Sequence, residues 1–484
     1  MATLGIEFSD VGFQAAVCAT TEPQLLPLID NQGGPEWPGF AFHDGRKFSF
    51  GRAAEEMWFV HPRSVAHTFW SKLAHEPAGL TVTGKSPSSS ELAFYFLREF
   101  MQRLSALSGS VDKVVFAVPG LYLKDDATEE EKIGLLLGMA GELKLPLAGV
   151  VDLSCAALCD PRAGGFNPAL PVIVIDVQLQ GAELSQFTVE NDRLARRRFL
   201  SLPQSGFAQL LKHLTSSMGN RFLRHTSFDI LEDGRIEQAF YRQTKNFLLS
   251  NAPEYRFQIN TAKRNYELLA KREKLESDAH AFVLGLSQAA QTFARGSSSM
   301  FEPCTVALTE RAAHLPGIEV ALRSVGFHRV LHLPMGAGAV GASRIGATRL
   351  KVAPDISDVV VETSAPLADA SRAVGAPWEA RLIKARAKNQ RPDPTHAILE
   401  GLGHTLTKNG HFTVGAANAG VDLPLPESFN AADDCVVQLV RDGGRLWFTE
   451  SAAPRTAVES GDRLAIRCGP LAAEVLFAHC EPNG

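Results

Sequence analysis

Four apolar segments, spaced through the first 345 residues, narrow the folds open to this chain more than any other feature. They are VVFAV at 114–118, VVDLSCAAL at 150–158, VIVIDVQLQGAEL at 172–184 and VALTERAAHLPGIEVAL at 306–322. Each opens on a short run, rich in Val and Ile, of the length and composition of a strand buried on both faces. Stretches with helical spacing lie between them. Residues 88–107 place Leu92, Phe94, Phe96, Leu97, Phe100, Met101 and Leu104 near helical spacing, and 205–216, 231–250 and 260–294 read as further helices. A helix over 128–143 is expected to open on a capping box formed by Thr128 and Glu131. Residues 3–18 read as a strand entering a hairpin, and 25–53 as short strands joined by N-Q-G-G and D-G-R turns. Strand 304–308, helix 317–325, strand 329–333 and the small-residue stretch GAGAVGAS at 336–343 complete the alternation. The predicted class is α/β, with a largely wrapped sheet.

A chain of 484 residues exceeds one ordinary core and implies about two to four folded units. Its net charge of −5 offers no electrostatic footprint for nucleic acid. The basic clusters Arg196–Arg198, Lys263-Arg264 and Arg381 to Arg391 read as solvated surface. Seven dispersed cysteines without a C-x-x-C pair point to a reduced setting and no metal, and Cys155 and Cys159 read as core fillers. No run reaches the length of a membrane span and no signal segment is evident, so a cytoplasmic location is expected. No Ser/His/Asp triad, P-loop or zinc spacing occurs, and His61, His67 and His75 read as residues of surface turns.

Composition shifts near residue 350. Residues 349–393 read as a linker rich in Pro, Ala and charge, and 394–484 as a small all-β unit of short strands such as HFTVG, VVQLV and RLAIRC.

IDNQGGPEWPGFAFHDGRKFSFGRAA in the early region, VVFAVPGLY followed by a helix, and VVDLSCAAL stand in an order that resembles the actin and heat-shock-chaperone ATPase superfamily. The likeness covers residues 1–348, is closest to the chaperone branch, and implies two ribonuclease-H-like lobes gripping ATP and Mg²⁺ between two glycine-bearing hairpins. It aligns Glu7, Lys72, Asp152 and Asp176 with positions that hold the metal, the γ-phosphate or the attacking water. The phosphate cradle is altered. Ser9 and Asp10 follow Glu7, and Asp10 places a carboxylate where phosphate oxygens are expected. Gln178, Leu179 and Gln180 replace the second hairpin's glycines, with Gly181 at a hydroxyl position. Thr309 and Glu310 replace the glycine pair of the adenosine-binding turn. Lys245 persists on the adenine side, among Arg242, Asn246 and Leu249. Glycine is required in such loops because a Cβ blocks close approach of backbone to phosphate. GAGAVGAS reads as a packing face against the helix of Cys155, Ala156 and Ala157, with anion binding at its helix N-terminus as the alternative.

Within 394–484, FTVG, VDLPLP, VVQLVRDGGRLWF and GDRLAI resemble a forkhead-associated β-sandwich, and a reduced chaperone substrate domain is the lesser alternative. Ala416 stands where that family carries its phosphate-binding arginine, and Asn430, Asp433 and Asp434 stand near its serine–histidine positions. The resemblances together imply a non-catalytic pseudo-ATPase scaffold working through protein partners, with no cofactor. A weak, Mg²⁺-dependent, chaperone-like or filament-forming ATPase and a phosphopeptide adaptor are the alternatives.

Overall fold

The computed structural model describes the chain apart from residues 1, 20–21, 29–35, 81–85, 164, 167–169, 192, 251, 263, 297–303, 328, 367–377, 386–390, 407–409, 417–420, 427–428, 430–435, 449–454, 469–470 and 481–484. The expected N-Q-G-G turn and Lys263 lie outside the described residues. The chain is mixed α/β and divides into two compact units. The first comprises residues 1–164, 171–325 and 330–370, and the second 165–170, 326–329 and 371–484.

The first unit is built on two mixed sheets with a shared local plan. In one, Thr3–Glu7 pairs in parallel with Lys113–Val118, which pairs in parallel with Leu147–Asp152. Thr3–Glu7 also forms an antiparallel hairpin with Gln14–Cys18, closed by the Glu7↔Gln14 pair. In the other, Val172–Val177 pairs in parallel with Thr305–Leu308 and forms an antiparallel hairpin with Ala182–Glu190, closed by Val177↔Ala182. The parallel strands are buried along almost their whole length, as their largely apolar sequences lead one to expect. Glu7, Asp152 and Asp176 therefore all lie at or beside the C-terminal ends of buried strands, where open α/β sheets present functional groups.

The first hairpin is fixed by an aromatic cluster. Phe8 and Phe13 pack at 4.8 Å between centroids, and Phe13 meets Trp70 at 4.7 Å and Phe96 at 4.8 Å. Phe96 comes from the helix Ser89–Ser108, which carries a true capping box between Ser88 and Glu91. The helix Ala337–Thr348 crosses the first sheet on its small residues. A Cβ at Gly5 would meet the Ala339 carbonyl oxygen at 2.1 Å, and one at Gly341 would meet the Ala156 oxygen at 1.7 Å. Packing against the helix Leu153–Leu158, which holds buried Cys155, is the structural role of GAGAVGAS.

Several local expectations change. The helix expected over 128–143 spans Asp126–Glu142 and is capped by Asp125, which accepts from the Thr128 N–H, so Thr128 is not the cap. Residues 260–294 are not all helical. Glu254–Asn260 and Asn265–Lys271 form a hairpin, and the helix begins at Arg272. The period-2 pattern of YRFQIN, with Phe257 and Ile259 buried, outweighs helical propensity there. Arg196–Arg198 lie on the strand Arg193–Leu202 and do not form one solvated patch. Within the expected linker, Val360–Glu362 pairs with Leu147–Asp152 and Ser364–Pro366 with Arg193–Leu202.

In the second unit, Trp378–Ile383, Arg463–Cys468, Leu471–Ala478, His396–Leu399 and Leu402–Thr405 form one five-stranded sheet. Leu423–Pro424, Gly410–Gly415, Val436–Asp442, Arg445–Phe448 and Thr456–Val458 form another. One apolar cluster, including Phe412, Val414, Leu439, Leu464, Val475 and Phe477, draws on both. Buried Asp462 gathers Lys384 Nζ at 2.7 Å and Arg391 Nη2 at 2.5 Å, so this end of the basic segment is ion-paired.

Candidate functional site

Two hairpin turns and the start of a short helix bring Glu7 and Asp176, two of the predicted carboxylates, into one buried centre, and an arginine fills it. Arg311 Nη2 donates to Glu7 Oε1 at 2.6 Å, Nε donates to Glu36 Oε1 at 2.9 Å, and Nη1 lies 3.5 Å from Asp176 Oδ1. The arginine sits in the helix Glu310–Ala313, capped by Thr309, whose hydroxyl also donates to Asp176 Oδ1 at 2.8 Å. Gln178 Nε2 donates to the other Asp176 oxygen, and Ser9 Oγ donates to Gln178 Oε1 at 2.7 Å. The backbone N–H of Ala339, in the first turn of Ala337–Thr348, donates to Glu7 Oε2 at 3.3 Å. The anion held at that helix N-terminus is thus the protein's own carboxylate.

Charge follows from this packing. Burial opposes the Arg311 charge, but Glu7, Glu36 and Asp176 hold the guanidinium protonated. Burial raises the Glu7 carboxyl, against Arg311 and with Asp176. A guanidinium delivers a planar, permanent cation with five donors, which a divalent ion would replace only after its removal.

Asp10 completes a second self-contained contact. Its Oδ1 accepts the Leu179 N–H at 2.6 Å and its Oδ2 accepts the Gln180 N–H at 3.3 Å. One hairpin's carboxylate therefore occupies the amides of the other hairpin's turn. Burial pushes the Asp10 carboxyl up to about 7, against those two N–H groups. Gly181 lies in the same turn, where a Cβ would meet the Leu202 oxygen at 2.8 Å.

The other predicted residues are dispersed. Asp152 is fully buried and paired with Arg196 at 2.7 Å, and its Oδ1 caps the helix Leu153–Leu158 through the Cys155 N–H. Burial raises its carboxyl even so. Arg196 is thus a half-buried partner, contrary to the solvated reading of its cluster. Lys245 is bound to Glu55 at 2.5 Å, apart from the Arg311 centre. Lys72 is exposed, and Glu310 is half-buried with its carboxyl raised by burial and then by Glu36. His67 is no surface-turn residue: it is half-buried, with Nδ1 at 2.9 Å from Gln180 Nε2, and burial and then Lys212 lower it to about 4. In the second unit, Ala416 is buried, and Asn430, Asp433 and Asp434 lie outside the described residues.

Sequence reasoning passed over Arg311, Glu36 and Glu183, and took Arg196 for solvated surface. Arg311 could have been noticed as a solitary cation within VALTERAAHL, a segment otherwise fit for burial. Glu183 faces Asp176 across the hairpin register and accepts the Gly120 N–H at 2.8 Å and the Leu121 N–H at 3.3 Å. Burial, then Asp176 and Asp152, push its carboxyl up to about 8.

Free space divides unequally around these groups. The pocket bounded by Glu7, Thr309, Glu310, Arg311 and Gly336–Gly338 amounts to about 20 Å³, enough for about one water. A larger cavity of about 350 Å³ lies beside Ser9, Asp10, Lys72, Trp70, Tyr122, Gln178 and Glu183. Comparison with protein-family models finds no match, and comparison with curated proteins finds none.

Proposed function

We propose that this protein is a non-catalytic scaffold or assembly protein built on a degenerate actin-like, chaperone-type ATPase module of two ribonuclease-H-like lobes. Its C-terminal unit is read as a forkhead-associated-like β-sandwich used for protein contacts. The paired hairpins, each with a parallel neighbour and a carboxylate at the strand end, support the first reading. Two five-stranded sheets around one apolar cluster support the second, and buried Ala416 disfavours phosphopeptide reading.

The observation that carries the proposal is Arg311 bridging Glu7 and Asp176 at 2.6 and 3.5 Å. Phosphoryl transfer needs those carboxylates free to organise Mg²⁺ and water. Here they neutralise an internal cation, and Asp10 takes the turn amides that a phosphate would need. Cleft geometry is then held by the protein's own ion pairs and does not switch with nucleotide.

A thermal-shift titration tests this reading. A ligand that binds only the native state adds about 2.7 kcal/mol at 100 times its Kd. MgATP is expected to leave the melting temperature unchanged, and cross-linked protein partners recovered from cells should be the same after nucleotide depletion. A saturable MgATP-dependent rise in melting temperature, abolished by Asp176→Ala, would contradict it.

A further inference from the structure

The larger cavity has a chemistry of its own. Phe8, Phe13, Trp70, Leu121 and Tyr122 contribute aromatic and apolar wall, and its volume of about 350 Å³ falls within the range of about 300–1,000 Å³ common for small-molecule sites. Two carboxyl groups also line it. Asp10 is 4% exposed and Glu183 5% exposed. Neither forms an ion pair with any cation among the described residues, and their hydrogen bonds come from backbone N–H groups alone. Asp176 and Asp152 add negative charge behind Glu183, while Arg311 and Arg196 are already engaged with carboxylates of their own. Lys72, though it borders the cavity, is exposed and pairs with neither group.

Trp70 packs its ring, 2% exposed, against the cavity. Carboxyls that lack a counter-ion within the protein can release their protons to an entering ammonium, and aromatic walls favour a cation over their faces.

We infer that the cavity between Glu183, Asp10 and Trp70 binds a small organic cation: a primary ammonium on an aromatic or apolar body. This rests on the reading that the cleft does not take nucleotide, since an anionic phosphate would meet the same two carboxyls.

Calorimetric titration of the full chain with 4-methoxyphenethylamine, its alcohol analogue 2-(4-methoxyphenyl)ethanol and MgATP tests the assignment. The amine is expected to bind at least tenfold more tightly than the alcohol. Glu183→Gln should lower amine affinity at least tenfold. Asp10→Asn serves as a second charge variant, with melting curves verifying that each variant is folded. No amine binding at 10 mM to the folded wild type, equal binding of amine and alcohol, or amine binding unchanged in both charge variants would overturn the inference. If neither amine nor MgATP binds, this inference falls and the scaffold reading stands. If MgATP binds and competes with the amine, the scaffold reading falls.

Discussion

Asp10 Oδ1 sits 2.6 Å from the backbone nitrogen of Leu179, so one hairpin's carboxylate closes the turn of the other. The two turns lie 169 residues apart in sequence, and the contact joins the two mixed sheets of the first unit. Removing the side chain strands two buried amides. Asp10→Ala is expected to destabilise the first unit by about 1–3 kcal/mol in urea unfolding, and Asp10→Asn, which keeps an acceptor oxygen, by less. Equal losses for the two variants would show that the hydrogen bonds contribute nothing.

The same groups set a pH dependence. In the folded chain Asp10 titrates at about 7 and Glu183 at about 8, both well above the unfolded carboxylate range near 4. The folded state therefore retains protons that the unfolded state has released. Their stabilising contribution is complete below pH about 4 and is lost as pH rises through about 7 and then about 8, at up to about 1.4 kcal/mol per pH unit for each group. The double variant Asp10→Asn, Glu183→Gln should flatten this decline between pH 5 and pH 8 in urea titrations. A wild-type stability that increases over that interval relative to the double variant would contradict the assignment.

Arg311 is the second determinant. Replacing it by Met leaves Glu7, Glu36 and Asp176 without their buried counter-ion, and the expected loss is about 3–5 kcal/mol by chemical denaturation. Adding Glu7→Gln to the Met variant should restore part of that loss, because one uncompensated charge disappears. A double variant less stable than the single one would show that Glu7 is not held chiefly by this pair.

Helix crossing gives a purely steric expectation. Gly341→Ala places a methyl 1.7 Å from the Ala156 carbonyl oxygen, a backbone atom that cannot swing aside. Overpacking of this kind costs about 1–3 kcal/mol. Gly285→Ala, where nothing lies within 4 Å of the added Cβ, serves as the control and should be neutral or stabilising.

The alternation of buried strands with helices was readable because Val/Ile runs and amphipathic stripes are local properties. Thus Val172–Val177, Thr305–Leu308 and the helix Ser89–Ser108 follow directly from composition and spacing. Boundaries governed by competing periods were not so readable, and the hairpin at 254–271 is the example. At the site, the resemblance singled out Glu7 and Asp176, and it marked Asp10 as a carboxylate standing where phosphate oxygens are expected. Their partners were not. Arg311 reaches Glu7 across 304 residues, and Arg196 reaches Asp152 across 44. Such pairings depend on how the two sheets meet, which no local pattern encodes. Glu183 was hidden for another reason: a lone carboxylate on an alternating strand reads as solvent-facing until its register with Asp176 is known.

On the proposed reading, Arg311 and Asp10 stand where metal and phosphate would otherwise bind. Isothermal titration of the wild-type chain with ATP in the presence of Mg²⁺ tests it most directly. No saturable heat is expected up to millimolar nucleotide, with the melting temperature likewise unmoved. Saturable binding with a Kd below about 1 mM, lost in Asp176→Ala and dependent on Mg²⁺, would show that Arg311 and Asp10 yield their places to the ligand and would contradict it.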